Sequence, residues 1–127
     1  MNKKVNIYTF GYENDERFNN EPLKEDIFVD ARVLKGLNVG INNLGIDKAT
    51  RRKYLRNDEI KKFYEDNIYF PAREKLNNDI TDFNVFIFCH QGMHKSVCLG
   101  EQLFIDLTKR KDCNVNIVHK NLIETSI

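Results

Sequence analysis

With 127 residues, 41% of them hydrophobic and 31% charged, and with 6 Gly and 2 Pro, the chain reads as one soluble globular domain spanning 1–127, not a disordered or fibrous protein. The 20 Lys+Arg and 19 Asp+Glu leave a net charge of +1, so no global field draws it to nucleic acid or to an anionic membrane. No window approaches the roughly 18 apolar residues of a membrane span, MNKKVNIYTF lacks the long apolar run and cleavage site of a secretory signal, and three irregularly spaced cysteines argue for a reducing cytoplasm.

In chain order, Val5 to Phe10 and Ile27 to Ala31 are the first two predicted strands, rich in β-branched and aromatic residues. Between them, Glu13 to Glu25 is polar and aperiodic and reads as an exposed loop beside a site. Gly36 to Gly45 reads as a second flexible stretch at a pocket rim. A helical region follows, with Asp47 and Asp58 as expected N-caps and Leu55, Ile60, Phe63, Tyr64 and Ile68 near helical spacing. Pro71 should start a new turn or kink the helix, and Asn77-Asn78-Asp79 should close it. Val85 to Cys89 is the most apolar run and suits a strand buried on both faces. Ser96 to Lys111 reads as a helix with Val97, Gly100, Leu103, Phe104 and Leu107 on one stripe and Lys109, Arg110 and Lys111 in its last turn. Val115 to Val118 is the fourth strand. Alternating strands and helices predict an α/β fold, three-layered around a small, mainly parallel sheet, with a phosphate-binding loop between a central strand and a helix.

That loop is FCHQGMHKSV, Phe88 to Val97. A strand, a tight turn and a helix bring free backbone amides together on an anion, aided by the helix dipole. Gly92 permits close approach of a phosphate oxygen. Lys95 puts a full positive charge where the dipole disfavours one, which a ligand anion would explain. Ser96 would cap the helix, bind phosphate, or do both, and His94 would donate to an anionic ligand. Cys89, five residues and Lys95-Ser96 also approach the C-x5-R-[ST] loop of cysteine phosphatases, in which Cys89 would be the nucleophile. Lysine cannot reproduce the bidentate arginine fork of those enzymes, and no aspartate among Asp47, Asp58, Asp79 and Asp82 stands out as the acid. Cys89, His90 and His94 have no second cluster to suggest a metal, and no cofactor is expected. Cys98 and Cys113 read as packing or surface residues. The cluster Arg51 to Arg56 is more often a solvated helical face, although Arg56 is counted among the candidate ligand residues.

With the loop in view, the chain resembles the C-terminal domain of the RapZ family of RNase adaptor proteins. The family's C-T-G-G-x-H-R-S-V stands here as Cys89-His90-Gln91-Gly92-Met93-His94-Lys95-Ser96-Val97, followed by Glu101-Gln102-Leu103 where the family has E-Q-L. Its S-F-G-[FY]-K is matched by Thr9 to Glu13 and its F-D-V-R-F-L strand by Val29-Asp30-Ala31-Arg32-Val33-Leu34. Leu44 to Asp47 answers T-G-L-D, and His119-Lys120 the late H-R. The resemblance implies a sensor that binds glucosamine-6-phosphate and a small RNA and forms homo-oligomers. No GxxxxGK[ST] occurs in this sequence, so the family's P-loop domain and its ATPase role are not expected here. The departures at His90, Gln91, Lys95 and Glu13 would keep an anion site and change its ligand.

The leading expectation is a non-enzymatic binder of a small phosphorylated molecule, an amino sugar phosphate or a nucleotide-type metabolite. Its ligand residues would be Asp30, Arg32, Arg56, His90, Gln91, Gly92, Met93, His94, Lys95, Ser96 and His119. Asp30 and Arg32, two residues apart at a strand end, are expected to face the same pocket, with a structural ion pair as the alternative. The other readings are a cysteine-dependent phosphatase and an RNA-binding adaptor module using Arg51 to Lys53 and Lys109 to Lys111.

Overall fold

The computed structural model describes residues 2–11, 24–34, 48–90 and 95–120. Most of the polar stretch from Glu13, the Gly36–Gly45 stretch and the expected Asp47 cap lie outside them.

The strands are β1 (Lys3–Gly11), β2 (Ile27–Asp30), β3 (Asp82–Cys89) and β4 (Cys113–His119). All pair in parallel, in the order β2-β3-β1-β4. The helices are α1 (Lys48–Leu55), α2 (Asp58–Tyr64), α3 (Phe70–Asn77) and α4 (Lys95–Thr108). The α/β class and the parallel sheet are as the alternation predicted.

The connections β2 to β3 and β3 to β4 step the same way across the sheet, so right-handed crossovers carry their helices over one face. Val5, Ile7, Ile27, Val29, Phe83, Val85 and Ile87 point to that face and pack with Ile60, Ile68, Leu76, Leu99, Leu103 and Leu107. Alternation turns Asn6, Tyr8, Phe10, Phe28, Asn84, Phe86, Phe88 and Asn116 to the other face. There Tyr8 and Phe10 stack on Phe86 and Phe88 at 5.3 and 5.4 Å, and the asparagines bond across strands. The described helices thus form one layer, and the expected third layer has no element among the described residues.

Local chemistry moves several expected boundaries. Asn57, not Asp58, caps α2: its side chain accepts from the Glu59 and Ile60 amides, while Asp58 and Glu59 sit in the first turn where the dipole favours them. Pro71 cannot donate to the turn before it, and the helix accommodates it by widening to a π-helical turn over Glu65–Tyr69 before α3. The α3 end is a Schellman cap: Ile80 N bonds Lys75 O and Asp79 N bonds Leu76 O, with Asp79 at φ 62°. Lys109, Arg110 and Lys111 lie beyond the last residue of α4, Thr108, rather than in its last turn. Ala31, read as strand, instead opens a short 3-10 turn, Ala31–Val33.

At the amino edge of the sheet, Arg110 makes a two-armed contact with Asp112 at 3.0 and 3.1 Å, and Lys3 lies 3.3 Å from the same carboxylate. The Arg110 guanidinium, helped by Lys3, holds the Asp112 carboxyl down to about 2. A depressed folded-state value gives stability present above the unfolded value of about 3.9 and lost as pH falls through about 2. Acid unfolding of the Asp112→Asn variant should therefore be less steep than wild type between about pH 4 and pH 2. Circular dichroism checks this, and superimposable acid limbs would remove Asp112 from the account.

Candidate functional site

Because all four strands are parallel, their carboxyl ends lie along one edge, where Asp30 is level with Phe88, Gly11 with Cys89, and Thr9 with His119. The α4 N-terminus sits on the same edge, since α4 starts six residues after Cys89 and runs back over the sheet. Parallel topology thus brings Asp30, Arg32, His90, Lys95, Ser96 and His119 to one rim. Gln91, Gly92, Met93 and His94 lie outside the described residues.

Asp30 ends β2 and caps the 3-10 turn, accepting from the Arg32 amide. The same carboxylate grips the Arg32 side chain at Nε (2.9 Å) and Nη2 (2.8 Å), and the guanidinium lies 5.3 Å from the Phe88 ring centre. The turn, rather than a two-residue strand step, brings the pair together. Its geometry is that of the structural ion pair, with both side chains still about one-third exposed. Arg32 holds the Asp30 carboxyl below its usual range, and nearby His90 adds a smaller pull in the same direction.

Lys95, the first residue of α4, donates from Nζ to the Leu34 carbonyl just after that turn. This bond ties the β2 exit to the helix start and places the ammonium on the rim, with two further donors on its nitrogen. Ser96, expected as the cap, instead falls inside α4 and is fully buried, its Oγ 3.1 Å from Cys89 Sγ. Cys89 is 5% exposed and belongs to the core cluster, so its thiol lies beneath the helix start.

His119, at the end of β4, bonds buried Thr9 through Nδ1 at 2.6 Å. Its Nε2 lies 3.4 Å from Glu101 on α4, within ion-pair range but without a hydrogen bond. The carboxylate, imidazole and hydroxyl resemble a catalytic relay in order, but Thr9 is 0% exposed and can reach no substrate. The array joins α4 to β1 and β4. Tyr54 of α1 approaches from below. Its hydroxyl has no hydrogen-bond partner among the described residues, and burial, with smaller contributions from nearby Cys98 and Cys89, pushes its ionisation well above the usual tyrosine range.

Sequence reasoning missed Tyr54. It met Thr9, Leu34 and Glu101 only as parts of motifs, with no signal pairing Lys95 with Leu34 or His119 with Thr9 and Glu101. The fold also separates Arg56 from the others. Arg56 lines a cavity of about 720 Å³ between α1, α2 and α4, and none of the rim residues borders that cavity.

Among the described residues no helix is long and apolar enough to cross a membrane. The family model described as the RapZ C-terminal domain matches residues 3–123. No curated protein sequence matches the chain.

Proposed function

We infer that this chain, which belongs to the RapZ C-terminal domain family, binds a small phosphorylated molecule at the carboxyl edge of its sheet and does not turn it over. The observation that carries the reading is Lys95, anchored on the Leu34 carbonyl at the start of a 14-residue helix that packs on β1, β3 and β4. A helix start carries a positive dipole end, and Lys95 adds a full charge. His90 and the Asp30–Arg32 pair border the same rim. Asp30 offers acceptor capacity for a hydroxyl or amine, which suits an amino sugar phosphate such as glucosamine-6-phosphate.

Two features argue against phosphoryl transfer through Cys89. The thiol is packed in the core against Ser96, whereas a nucleophilic cysteine needs an exposed, electropositive setting. Lysine also lacks the planar fork that grips two equatorial phosphate oxygens.

The reading is tested by calorimetry with glucosamine-6-phosphate and with nucleoside monophosphates, together with a phosphate-release assay. One of these ligands should bind and be recovered unchanged, and Cys89→Ser should alter affinity by no more than about twofold, since the exchange conserves shape and hydrogen bonding. Steady release of inorganic phosphate, abolished in Cys89→Ser, would establish the phosphatase instead.

A further inference from the structure

The cavity that Arg56 lines was assembled by the fold from two basic stretches far apart in sequence. Arg52, Arg56, Lys61, Lys109 and Arg110 border it, against Glu65 and Asp106. Asp106 is already engaged: it accepts from the Tyr64 hydroxyl at 2.6 Å and from the Gln102 amide at 3.1 Å, with Lys109 3.8 Å away. Arg110 is held by Asp112. The side chains of Arg52, Arg56 and Lys61 are exposed and make no ion pair among the described residues. Arg52 of α1 and Arg56, which follows the helix and bonds its amide back to the Arg52 carbonyl, are like charges four apart, an arrangement that weakens a helical turn unless an anion offsets it.

The wall is apolar and aromatic. Leu55 lies beside Tyr64 and Tyr69, whose rings stack with centroids 6.1 Å apart. A volume of about 720 Å³ is far larger than an inorganic anion needs and falls within the size of small-molecule sites.

We propose that this cavity is a second ligand site, separate from the sheet edge, that takes an organic phosphate or polyphosphate carrying a planar ring. The ring packs on the partly exposed Tyr69, which buried Tyr64 backs, and the phosphates meet Arg52, Arg56 and Lys61. The site is set apart from the rim along α4. Gln102 and Asp106 lie six and ten residues beyond Ser96, about 9 and 15 Å along the axis.

The test uses the whole chain, with backbone-amide NMR titrations of ATP without magnesium, pyrophosphate, and a short single-stranded RNA. ATP should give saturable shifts centred on α1, α2 and the second half of α4. The double variant Arg52→Glu/Arg56→Glu, altered only at exposed positions, should keep its fold and bind ATP about tenfold or more weakly. Tyr69→Ala should weaken ATP more than pyrophosphate, and Lys95→Ala should leave the α1–α4 shifts in place whether or not the rim site survives. The proposal fails if ATP produces no saturation into the millimolar range, or if its shifts centre on Cys89 to Ser96 and vanish in Lys95→Ala. It fails equally if RNA saturates this surface while ATP does not, which would make it a polymer-binding face.

Discussion

Replacing Gly100 by alanine should destabilise the protein by up to about 2 kcal/mol, although alanine is the better helix former. Two effects oppose each other. In an unconstrained helix the exchange would stabilise by about 0.8–1 kcal/mol. Here a Cβ would stand 2.6 Å from Thr9 Cγ2, with Ile117 Cδ1 at 3.4 Å and Ile7 Cγ2 at 3.5 Å. Overpacking of this kind costs about 1–3 kcal/mol. Thr9 cannot readily rotate its methyl away, because the residue is fully buried and its hydroxyl is committed to His119. Overpacking therefore wins, and thermal unfolding should fall by about 4 °C per kcal/mol lost. Gly100→Val should be worse. The diagnostic partner is Thr9→Ser, which deletes the methyl and keeps the hydroxyl. Gly100→Ala/Thr9→Ser should recover most of the loss, as a coupling energy in a double-mutant cycle. Simple additivity of the two changes would show that the helix–strand contact is not the cause.

This contact also explains which parts of the site could be read before the fold was known. The rim residues Asp30, His90 and Lys95 were legible because each ends a strand, follows one directly or opens the next helix, and parallel strands necessarily end at one edge. Their partners were not. Lys95 reaches Leu34, and His119 reaches Thr9 and Glu101, across gaps that no local pattern spans. The Asp30–Arg32 pair was expected on one side of a strand, but the residue after Asp30 starts a turn, so the two meet by side-chain capping. Arg56 was grouped with the rim although helix packing carries it to a different cavity. The π-helical turn was foreshadowed only by Pro71, since a proline marks a disturbed helix without saying whether it will break, kink or widen. Strand and helix positions thus follow from periodicity, whereas the pairing of His119 with Thr9 and Glu101 depends on how closely α4 settles on β1, where Gly100 leaves no room for a side chain.

Lys95→Ala should weaken binding of the phosphorylated ligand by about 1.5–3 kcal/mol, the range for a hydrogen bond to a charged group, or roughly 10- to 150-fold. On the proposed reading the Lys95 side chain has two tasks, however, and the measurement must separate them. Its ammonium also donates to the Leu34 carbonyl, so alanine leaves that acceptor to find another donor and loosens the link between the β2 exit and α4. A purely structural role would lower the unfolding temperature and leave affinity unchanged when binding is measured well below it. A ligand role lowers affinity at that same temperature. Lys95→Arg sharpens the distinction. Arginine keeps the charge and adds a fork that can grip two phosphate oxygens, and it restores the residue of the loop pattern that this sequence resembles. Affinity in Lys95→Arg should equal or exceed wild type, whatever happens to the Leu34 contact. Calorimetry that finds Lys95→Ala as tight as wild type would take Lys95 out of the site, and the helix start would lose its claim as an anion cradle.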